Sequence, residues 1–116
     1  MKHLLSIEAM DADAIETILK NAAVIKEQRG DSQHQPLAGQ TWSMIFTKSS
    51  TRTRVSFEVG IRELGGSVMF LNANDMQLGR GEPIKDTARV LGRMVHGAVI
   101  RTYAQDDVEQ FAEWST

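Results

Sequence analysis

The sequence predicts an α/β domain, a three-layer αβα sandwich built on a central parallel sheet. Short apolar runs bounded by loop residues recur at 41–46, 67–71 and 97–102 and read as buried strands. The stretches between them repeat their apolar residues at helical spacing. Strands alternating with helices at this interval give right-handed βαβ units, whose crossovers cover both faces of a parallel sheet.

The first helix is expected over Asp11 to Arg29. Ile15, Ile18, Leu19, Ala22 and Ile25 share one face, Asp13 with Glu16 resembles a capping box, and Gly30 is a stop. "GDSQHQPLAGQ" is a polar loop carrying Pro and Gly. "TWSMIF" then supplies the first strand, Thr41 to Phe46. The second helix is expected from Thr51 or Arg52 to Leu64, with Val55, Val59 and the row Phe57, Ile61 and Leu64 facing inward, and "LGG" at 64–66 stops it. "SVMFL" is the second strand, and "NANDMQLGRGEP", 72–83, is a loop long enough to carry function. A third helix over Ile84 to Val95 turns Ile84, Ala88, Leu91 and Val95 to one side. "GAVIRT" gives the third strand, and "QDDVEQFAEW" opens a last helix with Val108, Phe111 and Ala112 inward.

The bulk composition narrows the function classes. The chain has 116 residues, enough for one domain with a real core, and 41% are hydrophobic. A formal net charge of −2 argues against a general nucleic-acid or membrane-surface binder, so any anion site is local. There are no cysteines, which removes disulfides and thiolate chemistry. No apolar run approaches the roughly 20 residues of a bilayer span. The N-terminus also lacks a signal-peptide core, so a cytoplasmic location is expected. The C-terminus stops in an amphipathic run without the usual punctuation, which reads as a chain cut short.

The chemistry concentrates in "FTKSSTRTRVSFEVG", where a strand hands over to a helix. In an open parallel sheet, ligands bind beyond the carboxyl ends of the strands, beside the N-termini of the following helices. The first turn of a helix leaves N–H groups unpaired, and the aligned peptide dipoles add positive potential there, so small anions settle at that position. Ser50, Thr51 and Thr53 add hydroxyl donors, and Arg52 a planar fork suited to two phosphate oxygens. Arg54 can instead pair with Glu58 along the helix, and Lys48 adds field without an assigned contact. A Ser or Thr before a helix is most often only a cap. Its coincidence with Arg52 at a strand-to-helix junction favours an anion of phosphate size.

Arg101 closes the apolar "AVIR" strand at the same sheet edge, where it either contacts a ligand or makes a strand-end salt bridge. Gln77, in the long loop, reads on spacing alone as solvated. The P-loop does not fit, because "TKSST" has no glycines, and "GRGEPI" is only half of a dinucleotide fingerprint. His3, His34 and His96 are scattered without metal or triad spacing, and His96 reads as a surface residue after a helix. Trp42 and Trp114 are too isolated from basic residues for base stacking.

"SSTRTRVSFEVG" followed by "LGG", then "QLGRGEPIKDTARVLGRMV", then "VIR", resembles the carbamoyl-phosphate-binding domain of the aspartate and ornithine carbamoyltransferase family over nearly the whole chain. "STRTR" is specific to that family, and "DTARVLGRM" leans toward its ornithine branch. The resemblance implies that Ser50, Thr51, Arg52, Thr53 and Arg101 bind carbamoyl phosphate, with Arg52 and Arg101 catalytic. It raises Gln77 to a ligand residue, because family members are trimers whose corresponding loop reaches a neighbouring active site. Thr51 also leans away from the acetylornithine relatives, which place a bulkier apolar residue there. The implied reaction makes L-citrulline and phosphate from L-ornithine in amino-acid biosynthesis and arginine metabolism, without cofactor or metal. The family's His-Pro-x-Gln motif and its second, amino-acid-binding domain lie outside residues 1–116, so the chain by itself is expected to be inactive. Putrescine, acetylornithine or aspartate as the amine, and a non-catalytic phosphate-binding or assembly module, remain the alternatives. A nucleic-acid binder using Arg52 and Arg54 is disfavoured by the acidic balance.

Overall fold

The computed structural model describes residues 2–31, 33–72 and 84–116. It comprises two compact units, Met1–His34 and Gln35–Thr116. The first unit holds one helix, α1, Ala12–Glu27. Its cap is Asp11, whose extended backbone lets the carboxylate accept the Ala14 N–H at 2.7 Å. The expected Asp13–Glu16 box is therefore not the cap; Asp13 already lies inside the first turn, where its charge complements the helix dipole. No residue of α1 is buried, and Ile18 and Leu19 are exposed, because a lone helix offers no second layer within its own unit.

The second unit is built on three strands, β1 Thr41–Phe46, β2 Ser67–Asn72 and β3 Gly97–Arg101. All pair in parallel in the order β2-β1-β3, so β1 is central. Among the described residues three helices complete it: α2 Thr51–Glu63, α3 Ile84–Met94 and α4 Gln105–Trp114. From β1 the chain moves to one neighbour through α2, and from β2 it crosses to the other side of β1 before forming β3. That reversal of direction places a crevice between the carboxyl ends of β1 and β3.

Side chains alternate across the sheet, and the register sorts them. Ile45 stands level with Leu71 and Ile100 on one face. There Ile45, Ala88, Leu91 and Phe111 form the buried core, with Ile84, Val95, Ala98 and Trp114 packed against it. This is the expected inward stripe of α3 together with Phe111 of α4. On the other face Met44 and Phe46 are buried, Phe46 meets the Phe70 ring edge-on at 5.5 Å, and α2 approaches β2.

α2 corrects the sequence reading in one respect. Of the apolar residues expected to face inward, only Ile61 is buried, with Leu64 partly covered; Val55, Phe57 and Val59 are exposed. Val55 and Val59 lie on the side of the helix opposite Ile61 and Leu64, and a single helix turns only one stripe to a sheet. The "LGG" stop is a Schellman motif: Gly66 N–H donates to Ile61 O at 2.9 Å and Gly65 N–H to Arg62 O at 3.0 Å. Gly65 has φ +98°, a conformation that side chains resist. No helix among the described residues is long and apolar enough to cross a membrane.

Candidate functional site

β1 ends at Phe46, and four residues carry the chain to Thr51, the first residue of α2. Ser50 is the N-cap, with extended backbone (φ −164°, ψ 108°). Its hydroxyl accepts the Thr53 N–H at 3.3 Å, and its carbonyl accepts the Arg54 N–H at 3.1 Å. The first turn of α2 has no acidic residue to offset the dipole. The N–H groups of Thr51 and Arg52 have no acceptor among the described residues, as the start of a helix dictates.

Arg101 arrives from β3. Its register partner on β1 is Phe46, so it stands level with the end of the first strand. Arg101 Nη1 donates to Thr53 Oγ1 at 3.2 Å, and Ser50 Oγ donates to the same oxygen at 2.9 Å. Thr53 Oγ1 therefore accepts twice, which leaves its own hydrogen free to donate. Arg101 Nε is buried with no acceptor among the described residues. A buried donor left unpaired costs about 1–3 kcal/mol, so it marks a place where an acceptor gains most. The alternative of a strand-end salt bridge at Arg101 finds no carboxylate partner among the described residues.

Ser50, Thr53 and Arg101 thus form one hydrogen-bonded cluster, while Thr51 and Arg52 are exposed on the same helical turn. Gln77 lies outside the described residues. Sequence reasoning missed Thr47: its N–H donates to Arg101 O at 2.9 Å and its hydroxyl to the same oxygen at 3.3 Å. The only cue was its position, one residue past the strand, where a ladder continues by a single bond. Lys48 lies over the Tyr103 ring, 5.3 Å from its centroid. Arg54 pairs with Glu58 at 3.5 Å, as its spacing suggested, and also stacks on Phe70, which the spacing did not suggest.

His96 does not join the site. His96 is exposed, yet it extends the opposite end of the β1–β3 ladder: its N–H donates to Thr41 O at 2.9 Å and its Nδ1 accepts the Thr41 N–H at 3.1 Å. Among the described residues, no group of three His, Cys, Asp or Glu is placed to hold a metal ion. Donors, positive charge and helix potential converge at one sheet edge, an arrangement suited to a compact anion with further acceptor oxygens.

The family model for the aspartate/ornithine carbamoyltransferase carbamoyl-P binding domain matches residues 2–116. The chain is 64% identical over 115 residues to an ornithine carbamoyltransferase of Akkermansia muciniphila, covering 99% of this chain and 38% of that protein. It superimposes with a TM-score of 0.91 on ornithine carbamoyltransferase from Pyrococcus furiosus, at 47% identity, covering 99% of this chain and 37% of the other. The catalytic subunit of M. jannaschii aspartate transcarbamoylase matches with a TM-score of 0.86 at 30% identity, covering 100% of this chain and 40% of the other. The chain spans 38% of the length of the curated relatives it matches.

Proposed function

This chain belongs to the aspartate/ornithine carbamoyltransferase family through its carbamoyl-phosphate-binding domain, and on that premise we propose that it supplies half of the active site of an ornithine carbamoyltransferase. The observation that carries this reading is the Ser50–Thr53–Arg101 cluster, with the buried Arg101 Nε, beside the open first turn of α2.

In the proposed reaction the neutral δ-amine of L-ornithine attacks the carbonyl carbon of carbamoyl phosphate. The C–N bond forms, the carbonyl π electrons move to oxygen, and the tetrahedral oxyanion collapses. The C–O bond to phosphate breaks, phosphate leaves with that electron pair, and the proton on the attacking nitrogen passes to the departing phosphate to give L-citrulline. Fixed donors act twice, on the leaving phosphate and on the developing oxyanion. The Thr51 and Arg52 amides and the Ser50 and Thr51 hydroxyls take phosphate oxygens. Arg52 spans phosphate and carbonyl, while Thr53 and Arg101 face the carbonyl oxygen. Ser50 then exchanges its bond to Thr53 for one to phosphate. Holding carbamoyl phosphate rigidly for attack supplies much of the remaining rate.

The family resemblance further supports a homotrimer in the cytoplasm, with Gln77 reaching a neighbouring site, and a role in arginine metabolism. The test is a titration of this chain with carbamoyl phosphate together with a turnover assay with ornithine. The expected result is weak saturable binding and no citrulline, because the chain spans only 38% of the length of its relatives. Citrulline made by the chain alone, or carbamoyl phosphate bound no better than sulfate, would overturn the reading.

A further inference from the structure

α2 presents an unusual distribution of attachments. Its single buried residue, Ile61, sits in its last turns, and its first two turns bury nothing. Apolar packing therefore fixes the far end of the helix and leaves the ligand-facing end without a core anchor. The first turn must nevertheless hold still, because the Thr51 and Arg52 amides are useful to an anion only at a fixed distance from Arg101.

Two polar contacts hold that end. One is the Thr53–Arg101 hydrogen bond to β3. The other involves the side chain of Arg54. Its guanidinium carbon lies 3.6 Å from the centroid of the Phe70 ring on β2, a stacking distance. Glu58 holds the guanidinium from above, with Arg54 Nε at 3.5 Å, and Arg62 approaches the other oxygen of the same carboxylate at 3.5 Å. Beneath, Phe70 meets Phe46 edge-on. The column Glu58–Arg54–Phe70–Phe46 thus runs from the surface of α2 to the end of β1, immediately before the Thr47–Ser50 connection.

We propose that Arg54 is a positioning residue for the anion site: its planar stack on Phe70 clamps the first turn of α2 to the sheet, and its charge is used on the ring rather than on the ligand. This rests on the carbamoyl-phosphate reading for its ligand, though not for the clamp itself. The two arginines of "STRTR" then have divided duties, Arg52 facing outward to the anion and Arg54 facing the sheet.

The test is a double-mutant cycle on this chain with Arg54→Ala and Phe70→Leu, read by carbamoyl phosphate titration and by amide hydrogen exchange of Thr53 and Arg54, whose N–H groups are bonded to Ser50, against residues 60–63. A cation–π contact of this exposure corresponds to roughly a fivefold change in an equilibrium constant. The expected result is that each single variant weakens binding and speeds exchange at 53–54 by about that factor, and that the double variant is no worse than either. Phe70→Tyr, which keeps the ring face, restores both readouts. Exchange at 60–63 stays unchanged, which separates loosening of one turn from loss of fold. If Phe70→Leu leaves affinity intact while Arg54→Ala removes it, Arg54 contacts the anion directly and the proposal is wrong. Unchanged exchange at 53–54 in both single variants also overturns it. Should the unsubstituted chain bind no carbamoyl phosphate, the ligand reading fails and the exchange data decide the clamp alone.

Discussion

The two faces of the sheet are held in different ways. On one, α3 and α4 close over Ile45 with Ala88, Leu91 and Phe111 in an apolar cluster, and Lys85 and Arg89 of α3 lie over the Trp114 ring of α4. On the other, α2 is anchored by Ile61 at its last turns and by the Arg101–Thr53 hydrogen bond and the Arg54–Phe70 cation–ring stack at its first. Apolar burial is strong and non-directional. Polar contacts are weaker but fix direction. The contrast teaches that stability and ligand geometry are supplied by opposite sides of one sheet, which meet at β1.

The largest expected effect is on the apolar face. Ile45→Ala empties the centre of the core and should lower unfolding stability by about 2–5 kcal/mol, read by urea denaturation. A loss under about 1 kcal/mol would break the contrast, since the α3–α4 face would then not carry the fold. Next, Arg52→Ala should weaken carbamoyl phosphate binding roughly ten- to hundredfold by titration, the worth of a charged hydrogen bond. The same variant should leave stability within about 0.5 kcal/mol, because Arg52 is exposed. A large fall in melting temperature would show that the two faces do not divide their work.

Gly97→Ala comes third. Gly97 begins β3 opposite Trp42, and a Cβ there falls on the Trp42 ring, whose Nε1 is held by Gln40 at 2.9 Å. Overpacking of this kind costs about 1–3 kcal/mol. Thermal melting should show the loss, while carbamoyl phosphate affinity, measured well below the melting temperature, stays the same because the anion site lies at the opposite sheet end. The smallest effect is Val55→Ser, on the outward side of α2. Stability of the chain should move by less than about 0.5 kcal/mol, and a greater loss by denaturant titration would mean that this side is covered in solution.

Much of the fold was legible before any coordinates. The strand Thr41–Phe46 and the stop at "LGG" are found where the pattern set them, because apolar runs and glycine punctuation are local signals. The Arg54–Glu58 pair was legible for the same reason, being four residues apart on one helix. Arg54 on Phe70 was not, since no spacing rule brings residues 54 and 70 together. The inward side of α2 was misread because Val55 and Val59 look as apolar as Ile61, and the sequence does not say which stripe meets the sheet.

By itself the sequence determined the order and type of the elements in Gln35–Thr116, the junction where donors crowd around Ser50, and the resemblance that names the anion. These follow from short-range chemistry: periodicity, capping and turn residues act over a few positions. Tertiary structure alone decided that Arg101 meets Thr53 across 48 residues of chain, that Thr47 fastens the end of β3, and that Arg54 belongs to the sheet. Such pairings depend on strand order and register, and a parallel sheet sets both through contacts between residues far apart in the chain.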